Sequence, residues 1–312
     1  MSSAVTDIIA TANHLQVVRY TQVASMAVLI IEWFLVIGEE VEYIWRAPWT
    51  FIKVLYLLSR YTPFLDTPFD LIIYLHPRIS SEECQISYKI ATASTFIGMT
   101  ISECILVART YAIYGLSRTV GVTLGIGVVI STIVGSITLA IYEGSLVFGP
   151  APSPAIPGCF LRKSNNIVFF NFVILLCWEF LIVILTTYKG IRVLRISRVP
   201  TMEILYRDGI VFFFVLLILS SANIAVFLAA PPEYLDLLDT LTRCLHSIVC
   251  CRVLLNLRAA AHLSDNTTSI SQLRSDIDFA GVFEAQENRD DPIFSTVGSY
   301  AMHDMSVSTR DS

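Results

Sequence analysis

The stretch IIEWFLVIGEEVEYIWR, residues Ile30–Arg46, decides the fold class of this chain. Its first half is apolar enough to lie in a membrane, although Glu32 stands in the middle of it. The stretch then ends in three acids, Glu39, Glu40 and Glu42. We interpret it as the inner half of a membrane helix that leaves through the cytosolic interface. The three acids are expected in water or among headgroups, with Trp45 at the boundary.

The composition of the whole chain indicates a membrane protein. Of the 312 residues, 54% are hydrophobic and only 15% are charged, whereas soluble domains carry about 25% charged residues. A bilayer core about 30 Å thick is crossed by roughly 20 helical residues, and the apolar runs here are continuous, unlike the alternating strands of a barrel. Seven such runs are predicted to cross the membrane: Tyr20–Gly38, Thr50–Phe69, Tyr88–Tyr111, Val120–Tyr142, Ile167–Tyr188, Gly209–Ala230 and Leu235–Leu257. The predicted fold class is all-α, a receptor-like integral membrane bundle of seven helices.

The chain divides into three predicted parts. Residues 1–19 are a short extracellular N-terminus, residues 20–258 the seven-helix domain, and residues 259–312 a disordered cytosolic tail. The tail is acidic and rich in Ser and Thr, and such a composition buries too little apolar surface to fold. Because the acids of the tail account for most of the net charge of −5, the rest is nearly neutral and offers no basic face to nucleic acid.

The orientation follows from the lysines and arginines between the predicted helices. Eight of them lie on one side, five of these in the connection between the fifth and sixth helices: Arg46, Arg118, Lys189, Arg192, Arg195, Arg198, Arg207 and Arg258. Five lie on the opposite side: Arg19, Arg78, Lys89, Arg162 and Lys163. Since positive charges favour the cytosolic side, we predict a multi-pass protein of the plasma membrane or an endomembrane, with its N-terminus outside and its C-terminus in the cytosol.

The opening segment has a pattern of its own. Its marked features are Tyr20, Glu32, Glu40, Ile44-Trp45-Arg46, Lys53 and Ser59-Arg60-Tyr61. With these features Tyr20–Leu65 resembles the module that opens a large family of basidiomycete membrane proteins, the domain of unknown function 6533. Three later stretches are similar to further parts of that family: LVARTYAIYG (Leu106–Gly115), LYRDGIVFF (Leu205–Phe213) and CRVLLNLR (Cys251–Arg258). The resemblance implies seven helices in a fungal membrane, and it implies no activity.

Five charged residues fall deep inside the predicted helices: Glu32, Arg60, Glu103, Glu179 and Arg243. A charge at that depth costs several kcal/mol unless it is paired or faces a wet cavity. We therefore predict an intramembrane polar cluster, extended by His246, with Arg60 and Arg243 as the partners of Glu32. Two interpretations stay open: a switch coupled to an ion, a proton or a ligand, and a buried ionic pin that fixes helix packing.

Two further groups of residues are candidates for structural or functional roles. Cys84 and Cys159 are expected near the outer face, where an oxidising exterior permits a disulfide; two free thiols are the alternative. Arg109, at the inner end of the third helix, is expected at the cytosolic interface. It either echoes the Asp/Glu-Arg-Tyr triplet of rhodopsin-like receptors, with Ala108 in place of the acid, or follows the positive-inside rule.

Several chemistries are excluded by the residues themselves. A three-histidine zinc site is unavailable because only His246 falls within a predicted helix. Retinal chemistry needs a lysine in the seventh helix, and there is none. Because GxSxG, P-loop and HExxH motifs are also absent, we expect no enzyme activity, no metal and no cofactor.

Three functions remain, of which a small structural or lipid-organising role is the least specific. The first is a receptor-like or sensory protein that lies in a lipid bilayer, binds an unknown ligand and contacts a cytosolic signalling partner through the loop 189–207 and the tail. The second is a transporter or channel that uses Glu32, Glu103 and Glu179. A transporter often shows an internal repeat; none is visible here, and this favours the receptor-like function.

Overall fold

The computed structural model of the chain describes residues 2–76, 79–149, 157–163, 165–196, 200–231 and 234–266. These residues form eight α-helices: α1 (Ser2–Glu40), α2 (Phe51–Tyr61), α3 (Pro63–Leu75), α4 (Ser81–Ile113), α5 (Arg118–Ser145), α6 (Phe169–Ile196), α7 (Pro200–Ala229) and α8 (Asp239–Asn266). A π-helical turn, Val41–Trp45, continues α1, and a 3₁₀ turn, Asn166–Val168, precedes α6. Two short antiparallel strands, β1 (Val147–Gly149) and β2 (Phe160–Lys163), lie between α5 and α6.

Five segments of the described chain are long and apolar enough to cross a membrane: Ile9–Trp45, Ser81–Ile113, Arg118–Ser145, Asn166–Arg192 and Val211–Ala229. They coincide with α1, α4, α5, α6 and α7. The outer face of α5 illustrates their character, since it exposes a row of isoleucines, Ile126, Ile130, Ile133 and Ile137, as a lipid-facing helix does. The architecture is that of an all-α, multi-pass membrane protein, as predicted.

The predicted second and seventh membrane helices are not among these five. The second is divided into α2 and α3, whose 11 and 13 residues are each too few to cross a bilayer alone. The seventh, α8, carries charges along its length, but it lies in the centre of the bundle, where it contacts α1, α2, α3, α4 and α7. The charged residues of α8 are thus sheltered by the helices around it.

α2 shows how a helix with charged residues fits this arrangement. It exposes the apolar Phe51, Val54 and Leu58 and buries the basic Lys53 and Arg60. This distribution is the reverse of that of a helix on a soluble protein. The lipid-facing side is therefore apolar, and the two basic side chains point to the interior. There Lys53 donates to main-chain oxygens and Arg60 pairs with Glu40.

The division between α2 and α3 lies at Pro63, where the sequence predicts a kink. Pro63 has no N–H and so ends one run of helical hydrogen bonds and begins another. The chain is only slightly interrupted, because the N–H of Thr62 still donates to the oxygen of Leu58 at 3.1 Å and the N–H of Asp66 to that of Thr62 at 3.0 Å. The two short helices follow one another as a single bent rod.

A hairpin and a disulfide close one end of the bundle. Cys84, in the first turn of α4, is joined to Cys159 ahead of β2, and the N–H of Cys159 donates to the oxygen of Ile73 at 2.8 Å. Gly158 has a φ of +90°, and a Cβ there would lie 2.8 Å from the carbonyl oxygens of Ile73 and Tyr74, so only glycine fits. The sequence predicts an irregular loop over Gly149–Cys159; the two strands that flank it were not predicted.

The boundaries of the domain differ from the prediction at both ends. The expected N-terminal extension, residues 1–19, belongs to α1 from Ser2 onward, with Leu15 and Val18 buried. At the other end α8 continues to Asn266, beyond the predicted limit at residue 258. Residues 267–312 lie outside the described part, so the disordered tail stays a prediction.

Candidate functional site

Glu32 pairs with an arginine that the sequence did not single out. Arg252 of α8 faces it with two nitrogens, Nε 2.5 Å from Oε1 and Nη2 2.9 Å from Oε2, a bidentate arrangement that is among the strongest of its kind. The predicted partners Arg60 and Arg243 are engaged elsewhere, and Arg60 reaches only the main-chain oxygen of Glu32, at 3.4 Å. Glu32 therefore fastens α1 to α8.

Glu40 is the partner of Arg60. It is 0% exposed, so the expectation that it lies in water or among headgroups is wrong. Arg60 Nε lies 3.3 Å from Oε2, while Tyr61 donates its hydroxyl to Oε1 at 2.7 Å and the Trp45 indole donates to the same oxygen at 3.1 Å. The π-helical turn explains the last contact, because it places residues five apart over one another, and Trp45 is five residues after Glu40.

Arg243 binds Asp66 of α3. Its Nε lies 3.1 Å from Asp66 Oδ2 and its Nη2 donates to the Thr62 hydroxyl at 2.5 Å. The guanidinium lies against α4 at Gly98, where a Cβ would come within 2.0 Å of Arg243 Nη2. The missing side chain of Gly98 thus provides the space in which this ion pair forms.

Three of the predicted cluster residues do come together. Glu103 of α4, Glu179 of α6 and His246 of α8 place one donor atom each within 4.8 Å of one another. His246 Nδ1 lies 3.7 Å from Glu103 Oε1, and Nε2 lies 2.8 Å from Glu179 Oε1, in a geometry too bent for a hydrogen bond. Ser220 of α7 donates to Glu179 Oε1 at 2.7 Å. The predicted single cluster is therefore four separate groups, of which this one unites three predicted residues.

The polar atoms of this group are poorly satisfied. Both oxygens of Glu103, Oε2 of Glu179 and both ring nitrogens of His246 are buried and have no hydrogen bond within the described part of the chain. Glu103, Glu179 and His246 are 7%, 2% and 0% exposed. Buried polar atoms normally have partners, so five such atoms facing one another mark an unusual place in the bundle.

A cavity of about 170 Å³ begins at Glu103. It lies between α4, α5, α6 and α7 and extends toward the disulfide-linked end, from Glu103 to Tyr88, a distance of about 22 Å along α4. Its walls are rich in aromatic rings, namely Tyr88, Phe96, Tyr142, Phe172, Trp178 and Phe227. Three carboxyl groups also line it, those of Glu103, Asp236 and Asp239; among the residues that the structure describes, no Lys, Arg or His does.

Tyrosine hydroxyls hold Asp236 at the far end of the cavity. Tyr74 donates to Oδ2 at 2.5 Å, and Tyr88 lies 3.0 and 3.1 Å from the two carboxylate oxygens. The Tyr88 hydroxyl also lies 3.0 Å from that of Tyr142. Asp236 lies in the connection between α7 and α8, and burial there raises the pKa of its carboxyl above the usual value despite these hydrogen bonds. The result is a polar end to a cavity whose walls are mainly aromatic and aliphatic, with Thr, Ser and Asn side chains among them.

The predicted cytosolic arginines have different environments. Arg109, near the end of α4, is only 3% exposed, and its guanidinium lies 5.1 Å from the ring centroid of Phe213. Its position at the cytosolic interface stays a prediction. Arg192 is exposed on α6. Arg195 belongs to α6, but its side chain is outside the described part, as is the whole of Arg198.

Sequence reasoning missed Glu40, Asp66, Asp236 and Arg252. For Glu40 the sequence did contain a signal: three acids close together on a helix point in different directions, so one of them can face the interior. For Asp66 the signal was weaker: it lies in the same predicted membrane helix as Arg60, and that helix is too polar to face lipid on all sides. For the pairing of Glu32 with Arg252 no local signal exists, because the two residues are 220 positions apart.

The fold and these groups define a class: an all-α, multi-pass membrane protein with an ion-paired interior. More particularly, a family model described as a family of unknown function (DUF6533) matches residues 20–65. No curated protein matches the chain. The family match shows that the chain contains a domain of unknown function. The matched segment comprises much of α1, the π-helical turn and α2.

The structure gives a physical meaning to the matched segment. Glu40, Trp45, Arg60 and Tyr61 form the network described above. Lys53 completes it, because its Nζ donates to the oxygens of Trp45 and Ala47 at 3.2 and 2.7 Å, carbonyls left free where the helix ends. Within the module, one buried acid and two buried bases join the end of α1 and the π-helical turn to α2.

Proposed function

We propose that this chain is a receptor-like membrane protein of seven helices that binds a small, largely apolar ligand in the cavity between α4, α5, α6 and α7. The cavity is the observation that carries the proposal, since walls of aromatic and aliphatic side chains with hydroxyl, amide and carboxyl groups among them are those of a small-molecule site. In this proposal the protein is a binding protein and has no enzyme activity.

The count of seven treats α2 and α3 as one bent crossing and α8 as the last. Paired charges support it, because a charge that is neutralised inside a bundle no longer prevents a helix from crossing. The disulfide supports the proposed orientation, with the N-terminus and the β1–β2 hairpin outside, because disulfides persist in oxidising surroundings. The fungal origin and the cytosolic partner at residues 189–207 and the tail belong to the same proposal.

The alternative is a transporter or channel that uses Glu32, Glu103 and Glu179. A path for ions requires these acids to face a common space. Glu32 is instead held by Arg252, and of the three only Glu103 lines the cavity. The arrangement favours a binding protein over a conducting one.

A thermal-shift screen of hydrophobic compounds on the purified full chain tests the proposal. A ligand at about 100 times its Kd stabilises a protein by about 2.7 kcal/mol, which raises Tm by several degrees in a chain of this size. The variant Thr132→Trp places an indole in the cavity and should abolish the response. Ile133→Trp adds the same ring one position away, where the side chain is 55% exposed, and should leave it unchanged.

Two results would overturn the proposal. In the first, the compounds stabilise wild type and Thr132→Trp equally, so that they bind elsewhere. In the second, the protein in sealed vesicles moves the same compound or an ion across the bilayer, and the transporter is then correct.

A further inference from the structure

We propose that Glu103, Glu179 and His246 form a binding site for a divalent metal ion, with Zn²⁺ as the ion that the ligand set fits best. This inference is independent of any receptor role. It departs from the expectation, based on the shortage of histidines, that the chain has no metal site.

The three side chains come from different helices and meet inside the bundle. α4, α6 and α8 each contribute one residue, and the donor atoms lie within 4.8 Å of one another. Donors that each lie about 2.0–2.2 Å from one zinc ion are separated by about 3–4 Å. Side-chain movements of less than about 1 Å therefore bring one nitrogen and two oxygens to bonding distance.

The charges of the group call for a cation. When both carboxyl groups are ionised, as they are when they bind a metal ion, they carry two negative charges, and the imidazole supplies at most one positive charge. Three arginines of the bundle are each paired with another acid: Arg60 with Glu40, Arg243 with Asp66 and Arg252 with Glu32. Within the described part of the chain the ion pairs of Glu103 and Glu179 are both with His246. A divalent ion with a neutral imidazole makes the group neutral, as a low-dielectric interior requires.

The unsatisfied atoms support the same conclusion. Five buried donor or acceptor atoms of the group have no hydrogen bond, and three of them belong to carboxylates that are more than nine-tenths buried. Ser220 fixes Glu179 from behind through its hydroxyl, which is how ligands of metals are commonly oriented. The free oxygens are thus those available to an ion.

An ion has an acidic route to this site. Glu103 belongs to the site and also lines the cavity, and Asp236 and Asp239 line its other end. A cation that enters there meets carboxyl groups at both ends and, among the residues that the structure describes, no basic side chain in the walls. In their ionised form these carboxyl groups attract a cation toward Glu103.

The ligand types decide between metals. Mg²⁺ and Ca²⁺ prefer sites built from oxygens alone, whereas an imidazole nitrogen favours Zn²⁺ and its transition-metal neighbours. One nitrogen and two carboxylates resemble the three-ligand sites that leave a fourth position of zinc open.

The test is titration of Zn²⁺ into the purified full chain after removal of metal by a chelator, followed by calorimetry. We expect one ion per chain in the wild type. Each of Glu103→Gln, Glu179→Gln and His246→Gln should weaken binding by at least about 100-fold, because even an outer-shell change costs 10–100-fold. Glu143→Gln, the same change at an acid of α5 that accepts a hydrogen bond from Thr92, should bind as the wild type does.

Co²⁺ provides a second measurement that does not depend on the variants folding. In the wild type it should give the visible absorption of a low-coordinate ion bound by nitrogen and oxygen, and Zn²⁺ should displace it. The site is refuted if the wild type binds no stoichiometric ion, or if the glutamine variants bind as tightly as wild type; the group is then an imidazolium held between two acids. Neither result affects the proposed ligand cavity, which the thermal-shift screen tests independently. The two proposals can therefore be refuted one without the other.

Discussion

Arg60 and Glu40 show what a single buried residue contributes in this bundle. Arg60 is 1% exposed and Glu40 0%, and the pair joins α2 to the end of α1. A buried ion pair adds little net stability by comparison with apolar groups, but removal of one partner leaves a charge without compensation. The pair is therefore more important for the position of the helices than for the total free energy.

Arg60→Met should lower the free energy of unfolding by about 3–5 kcal/mol, because it strands the Glu40 carboxylate. The double variant Arg60→Met/Glu40→Gln should recover most of the loss, since no charge is then left behind and the amide still accepts from Tyr61 and Trp45. Chemical or thermal unfolding of the purified protein in detergent measures both.

Arg46→Met is the matched control for this prediction, because Arg46 is exposed and a change there should stay within about 0.5 kcal/mol. If the double variant is as unstable as Arg60→Met, the lost interaction is not the pairing with Glu40.

The same residues show how far the sequence predicts the site. Hydropathy and spacing predict that Glu32, Glu103, Glu179, Arg243 and His246 lie deep in the membrane, because the depth of a residue depends on its distance along a helix. Partners depend on how helices rotate and pack, which no local pattern encodes. For that reason the expected pair of Glu32 with Arg60 or Arg243 is wrong, and Arg252 takes that place.

At the scale of elements, the contact of α4 with α8 depends on Gly98. The guanidinium of Arg243 fills the space beside this glycine while it holds Asp66 and Thr62. The end of an arginine is flexible and can move away from a new methyl group. If it moves away, however, Arg243 no longer contacts Asp66, and the loss of stability is then that of the broken ion pair.

Gly98→Ala should therefore destabilise the protein by about 3 kcal/mol, although alanine favours a helix by about 1 kcal/mol over glycine. Gly125→Ala on α5 is the control, because a Cβ there meets no atom within 4 Å; it should be neutral or stabilising. Equal unfolding midpoints for the two variants would show that Arg243 finds another position at no cost.

Elements also differ in how well the sequence predicts them. The five long apolar helices and the break at Pro63 are predicted correctly, because length, hydropathy and the missing N–H of proline are local properties. The β1–β2 hairpin and the π-helical turn are not. The hairpin is held by contacts of Gly158 and Cys159 with α3, and the turn by the burial of Glu40, both of which arise only in the folded chain.

At the scale of the whole molecule, the orientation in the membrane is open to a direct test. Glycosylation acceptors placed between β1 and β2 should be modified in cells, because the proposed topology puts this hairpin outside. The natural triplet Asn266-Thr267-Thr268 should stay unmodified, because it begins at the last residue of α8, which the proposed topology puts on the cytosolic side. Mobility of the two glycoforms on a gel gives the answer, and modification at the triplet alone would invert the proposed topology.

The long distance between ion-pair partners has a consequence for biosynthesis. Asp66 leaves the ribosome 177 residues before Arg243, and Glu32 leaves it 220 residues before Arg252. During translation the early helices therefore carry acids whose bases do not yet exist. α8, which is made last among the described helices, completes the neutralisation of α1 and α3. A nascent chain that stops before α8 therefore holds these acids inside its early helices without their bases.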